Sequence, residues 1–86
     1  MMSKKANQSN AGPEKVFRLG LVRASVFVNE GQKGLFRTVK LDRRYKTEDG
    51  EWRSATRFSA GQLAAVLAVS QQALAFVMEQ EQVGDE

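Results

Sequence analysis

The last third of this 86-residue chain constrains its fold most. From about Ala60 to Gln82 there is no proline and few β-branched residues, and Leu63, Val66, Leu67, Ser70, Ala73, Leu74, Val77 and Met78 recur at helical spacing. Ala65, Val69 and Phe76 widen the stripe. Ser59, three residues before Gln62, matches a capping-box start. At 1.5 Å per residue such a helix is roughly 33 Å long. Three or four strands spaced about 4.8 Å apart span only ~15–20 Å. One sheet therefore leaves part of this apolar helix bare. The expected cover is a second copy, packed helix to helix through Leu63, Leu67, Leu74, Phe76 and Val77.

The residues before the helix read as strands. Lys15 to Asn29, Leu35 to Lys46 and Glu51 to Phe58 are rich in β-branched and aromatic side chains. In the first segment the alternation slips: Phe17, Leu19 and Leu21 share one phase, and Val22, Ala24, Val26 and Val28 the other. A bulge or bend near Gly20 to Val22 puts both sets on one face, with Arg18 and Arg23 both pointing away from it. The expected fold is α+β: a curved antiparallel sheet of three to four strands, then one long C-terminal amphipathic helix in a helix-mediated dimer. Residues 1–14 read as a polar, disordered arm, 15–82 as the domain and 83–86 as an acidic tail. Lys4 and Lys5 would add weak phosphate affinity to the arm.

Two registers follow from hairpin parity. A six-residue loop at Asn29 to Gly34 sets Val28 against Leu35, Ala24 against Val39 and Val22 against Leu41. The opposite face then holds Phe27 against Phe36, Ser25 against Thr38 and Arg23 against Lys40. A turn at Thr47 to Gly50, marked by Asp49-Gly50, sets Tyr45 against Trp52 and Val39 against Phe58 on the apolar face. Arg44 meets Arg53, and Lys40 meets Arg57, on the other. Like charges directly opposed are destabilising, so this basic face is expected to hold an anion. Arg37 and Arg43 fall in the apolar phase, with no role assigned.

Composition narrows the function. The chain has neither Cys nor His, which removes the commonest metal ligands and the commonest general base. No nucleophile, base and orienting group stand at recognisable spacing, and no glycine-rich phosphate loop is present. The expectation is a non-enzyme with no metal and no cofactor. No apolar run approaches the length of a membrane span and no secretory signal is evident, so a cytoplasmic setting is expected, at the nucleoid or in a nucleus. All 13 Lys and Arg lie at or before Arg57, with six of the 10 acidic residues. That part therefore carries +7 and the remainder −4. One-sided basicity is the electrostatic footprint of a nucleic-acid binder.

From Leu35 to Leu74 the chain resembles the single-strand-binding domain of the positive transcriptional coactivator family, and more widely the Whirly-type single-strand binders. The matching pieces are Arg43-Arg44-Tyr45, Gly50-Glu51, Arg53 with Arg57, and the helix from Ala60. The family's Lys-Pro-Gly-Arg-Lys element is replaced here by Arg53-Ser54-Ala55-Thr56-Arg57. The resemblance implies a curved antiparallel sheet, dimerisation through the helix and single-stranded DNA lying on the basic sheets.

The expected function is thus dimeric, largely sequence-independent binding of single-stranded DNA or RNA in DNA transactions or transcription regulation. Arg23, Lys40, Arg44, Lys46, Arg53 and Arg57 would contact phosphates. Phe27 and Phe36 would stack on bases, with Trp52 a further candidate if the register shifts. Two alternatives stay open: a β-ribbon entering duplex DNA, and an interaction module whose basic face docks an acidic partner.

Overall fold

The computed structural model describes residues 12–85. The expectations for Lys4, Lys5 and the rest of 1–11 lie outside the described residues. Four strands, β1 Lys15–Leu19, β2 Val22–Gly31, β3 Gly34–Lys46 and β4 Trp52–Ala55, precede one helix, α1 Ala60–Asp85. The strands form one antiparallel sheet in the order β1-β2-β3-β4. The fold is α+β, as the sequence indicates.

The slip in the first strand segment is a hairpin rather than a bulge. Gly20-Leu21 forms a two-residue turn, with Gly20 at φ +62°, a conformation that suits glycine. Leu19 then lies opposite Val22 and Phe17 opposite Ala24, so both apolar sets share one face. Arg18 pairs with Arg23 on the other.

The β2–β3 hairpin closes through Gln32-Lys33 instead of a six-residue loop. Val28 lies opposite Arg37, Ala24 opposite Leu41 and Arg23 opposite Asp42. This register differs from the expected one by two residues. An even shift preserves which side chains share a face, because the side-chain period is two.

The β3–β4 register differs by one, and there the shift is decisive. The loop is Glu48-Asp49-Gly50, closed by Gly50 N–H to Thr47 O at 2.9 Å and Thr47 N–H to Glu51 O at 2.8 Å. Gly50 takes φ +90°. A loop one residue shorter than the expected Thr47 to Gly50 sets Tyr45 against Arg53, Lys46 against Trp52 and Arg44 against Ser54. The opposed Arg44–Arg53 and Tyr45–Trp52 pairs do not form. β4 ends at Ala55, so Arg57 and Phe58 leave the sheet, and their expected pairings with Lys40 and Val39 are absent as well.

Helix α1 begins on the expected capping box. Gln62 N–H donates to Ser59 Oγ at 3.3 Å, and Ser59 N–H donates to Gln62 Oε1 at 2.8 Å. The helix continues through Asp85, so most of the expected acidic tail belongs to it. Its Val69 and Ala73 are buried against Val22, Ala24 and Val26 of β2. Phe17, Leu41, Phe58, Ala65, Val66, Phe76 and Val77 pack around them. Phe76 meets Phe17 edge-on at 6.1 Å between ring centres. Phe76 and Val77 therefore pack within their own chain, and the large apolar helix residues left exposed are Leu63, Leu67, Leu74 and Met78.

The expectation of no span-length apolar run is corrected. Ala60–Glu81 is 22 residues long, with mean hydropathy 1.4, enough by length and composition to cross a membrane. Val69 and Ala73 nonetheless lie on β2 at no more than 1% exposure, which ties the helix to the sheet.

Candidate functional site

The sheet face away from α1 gathers the chain's polar chemistry. Strand alternation places Val16 and Arg18 of β1 there, then Arg23, Ser25, Phe27 and Asn29 of β2. β3 adds Phe36, Thr38, Lys40, Asp42, Arg44 and Lys46, and β4 adds Trp52 and Ser54. Side chains on one strand face recur every second residue, so a 13-residue β3 carries six of them onto this surface.

The only carboxylate that β1 to β4 place on this face is already neutralised. Arg23 grips Asp42 through two hydrogen bonds, Nε to Oδ1 at 3.0 Å and Nη2 to Oδ2 at 2.7 Å. The Asp42 side chain is 2% exposed and that of Arg23 22%. The Arg23 guanidinium, with help from the Ser54 hydroxyl and the Lys40 charge, holds the Asp42 carboxyl below the usual carboxylate range, against the opposing effect of burial. Arg23 is therefore a structural partner of Asp42 rather than a free cation. Arg18, Lys40, Arg44 and Lys46 have no ion-pair partner among the described residues.

Aromatic surface interleaves with these charges. Phe36 is 46% and Trp52 50% exposed. Phe27 is half-buried, opposite Thr38 and diagonal to Phe36. The Phe36 ring lies over Gly31: a β-carbon there would come within 3.1 Å of it. The Arg44 guanidinium carbon sits 5.7 Å from the centre of the Trp52 ring, in cation–π range. Leu21, Arg44 and Trp52 line a shallow recess at this margin.

The remaining expected site residues lie elsewhere. Arg53 falls on the helix side of the sheet, opposite Tyr45, and bridges to Glu51 at 3.0 Å. Arg57 lies in the β4–α1 connection, where its carbonyl accepts a 2.6 Å hydrogen bond from Arg43 Nε. Arg43, whose guanidinium also stacks 5.5 Å from the Tyr45 ring centre, thus anchors the turn into the helix. Arg37 is held by Glu14 through bonds of 2.8 and 3.2 Å, which keep the Glu14 carboxyl below its usual range. No protein family, curated protein or solved structure matches this chain. Among the described residues, no three His, Cys, Asp or Glu side chains group in a way that could hold a metal ion.

Two members of this face are not among the residues the sequence singles out. Arg18 joins through the β1–β2 hairpin, and the parity slip already implied its direction. Leu21 joins because Arg44 N–H donates to Leu21 O at 2.9 Å, which aligns the turn with β3. No sequence signal marks that contact.

Proposed function

We propose that the chain binds single-stranded nucleic acid, largely without regard to sequence, on the sheet face away from α1. The observation that carries this reading is the coincidence on one open face of four cations without acidic partners among the described residues and two exposed aromatic rings. Arg18, Lys40, Arg44 and Lys46 meet phosphates, and Phe36 and Trp52, with Phe27 behind, offer surfaces for bases. Stacking needs unpaired bases, and the cations lie across a broad sheet rather than along a projecting ribbon, so a single strand fits better than a duplex. The resemblance of Leu35 to Leu74 to coactivator-type binders points the same way and suggests a role in transcription or other DNA transactions.

The same reading includes a homodimer. Leu67 is 71%, Leu35 64%, Leu74 57%, Leu63 50%, Met78 49% and Val39 40% exposed, all on the helix or the helix side of β3. Between them runs a groove of about 240 Å³, lined by Arg37, Val39, Leu41, Ser70, Ala73, Leu74 and Val77. These side chains leave a broad apolar surface uncovered on the helix side, of the kind a second subunit buries. The occupant is a second copy, whose own exposed stripe matches in length and lacks charge. Leu67→Glu is expected to yield a monomer by sedimentation equilibrium while the far-ultraviolet circular dichroism stays unchanged. A dimer that survives this substitution would move the interface elsewhere.

A binding titration tests the main reading. Labelled oligo-dT should bind with a slope of log K against log salt of about −3, as expected for roughly four phosphate contacts on a single strand. Unlabelled single strands should displace it, and duplex of the same length should not. Binding confined to duplex would favour the ribbon reading. Affinity for an acidic protein that persists at high salt, with none for oligonucleotides, would favour the interaction module.

A further inference from the structure

We propose that the open edge of β3, from Leu35 to Leu41, pairs antiparallel with the same edge of a second copy, joining two sheets into one continuous sheet. This inference rests on the homodimer reading and names the backbone contact that closes it.

Strand β3 has 13 residues, and β4 covers only Arg43 to Lys46 of them. Among the described residues, no strand pairs with Gly34 to Asp42 on the side away from β2. Backbone alternation fixes which groups lie open there. Thr47 N–H donates to Glu51 O across the β3–β4 hairpin, while Arg44 N–H donates to Leu21 O on the other side. Odd-numbered residues of β3 therefore aim their N–H and C=O groups away from β2, and even-numbered ones toward it. Leu35, Arg37, Val39 and Leu41 are left with both groups lacking a strand partner. The stretch has no proline, and its register against β2 runs without a bulge. Two common devices that blunt an exposed edge are thus missing.

The occupant is a second copy because this edge is complementary to itself. A two-fold axis centred on Thr38 opposes Leu35 to Leu41 and Arg37 to Val39 on the helix side. On the other side it opposes Phe36 to Lys40 and Thr38 to Thr38. Every open N–H and C=O of the four outward residues then finds a partner. No like charges stand directly opposed. The two Arg37 side chains lie diagonally across the axis, and each is held by Glu14 of its own copy. The second β3 ends where β4 begins, so the two share one edge without overlap. The helix agrees with this placement. Ser70 and Leu74 border Val39 and Leu41 in the groove. Leu63 and Leu67 lie seven residues earlier, about two turns, and so on the same side of α1. One axis therefore closes both the open edge and the exposed leucine stripe. Phe36 of each copy also adjoins Lys40 of the other, which carries the basic aromatic face across the junction.

The chain has no cysteine, so one introduced thiol reports the pairing. Residues opposed in a non-hydrogen-bonded antiparallel pair have Cα atoms about 4.5 Å apart, within disulfide range. Thr38→Cys is expected to give a covalent dimer under mild oxidation by oxidised glutathione. Arg18→Cys, on the same face but two strands away on β1, should remain uncross-linked. Hydrogen exchange followed by NMR reads the unmodified protein. In the dimer the Arg37 and Val39 amides should exchange about as slowly as those of Thr38 and Lys40, which face β2. Val39→Pro removes an edge donor without removing a bond to β2. It should weaken dimerisation at least ten-fold by sedimentation equilibrium. A dimer whose Thr38→Cys form stays uncross-linked, or whose Val39 amide exchanges freely, overturns the edge pairing and leaves a dimer closed by the helices alone. Equal cross-linking of Arg18→Cys overturns it too. A monomer in the unmodified protein overturns the homodimer reading as well.

Discussion

Arg23→Ala is expected to lower the stability of the fold by about 3 kcal/mol, the low end of what breaking a buried ion pair costs. The substitution leaves the Asp42 carboxylate 2% exposed with neither of its two guanidinium bonds. Ser54 and Lys40 remain nearby but do not replace a bidentate partner. Arg23 is itself 22% exposed, which keeps the expected loss from the upper end of the range. Urea denaturation with an unchanged m-value gives the measurement. Asp42→Ala in the same background should recover part of the loss, because no stranded charge then remains. A loss under about 0.5 kcal/mol would place the pair among exposed bridges, which contribute little.

The same pair sets the direction of the pH dependence. The Asp42 carboxyl titrates below its ordinary value in the folded chain. A depressed folded pKa contributes stability that is present above the unfolded value, about 3.9, and is lost as pH falls through the folded value. The gap between the unmodified protein and Arg23→Ala should therefore narrow below about pH 4, where protonated Asp42 no longer needs a counter-ion.

Lys40→Ala combined with Arg44→Ala should weaken oligo-dT binding on the order of 100-fold at low salt and reduce the salt slope by about 1.4, at ~0.7 for each phosphate no longer neutralised. Arg53→Ala should change affinity no more than about two-fold, as a distant surface charge screened by salt does. The contrast follows from the faces of the sheet. Lys40 and Arg44 stand on the side away from α1, while Arg53 stands on the other and is engaged by Glu51. If Arg53→Ala weakened binding as much as the double substitution, the nucleic acid would have to contact both sides of β4. Strand-displacement anisotropy over a range of salt concentrations decides between these outcomes.

The contrast also marks where sequence reasoning reached its limit. Pairing by parity opposed Arg44 to Arg53 and Tyr45 to Trp52. Both oppositions fail because the turn has three loop residues, Glu48 to Gly50 with Gly50 at φ +90°, where parity assumed four, Thr47 to Gly50. Changing a hairpin loop by one residue moves every side chain of the following strand to the other face. Trp52 consequently turns to the basic face and Arg53 away from it. The β2–β3 register differs from expectation by two residues, yet its faces are preserved for the same reason of period. There the cost was only the identity of partners: Arg23 found Asp42 instead of Lys40. That exchange turned an expected free cation into one member of a buried pair.

Periodicity and local chemistry sufficed for several features. The Ser59–Gln62 box set the start of the helix, because its bonds lie within four residues of chain. The helix length followed from an uninterrupted run of helix formers, and the apolar face of β1 and β2 from alternation about Gly20. The excess of leucine on α1 was visible too, since a single sheet is too narrow to cover it. The loop lengths at Gln32-Lys33 and Glu48-Asp49-Gly50, and with them the partners of Arg23, Arg44 and Trp52, were decided by the tertiary structure. So was the division of the helix stripe, in which Phe76 and Val77 turn inward onto Phe17 and the sheet while Leu67 and Leu74 stay outside. The physical reason is common to both cases. A side-chain period is a local property of the backbone, whereas register and docking angle depend on contacts between residues distant in the chain, and a one-residue change in either reverses which side chains meet.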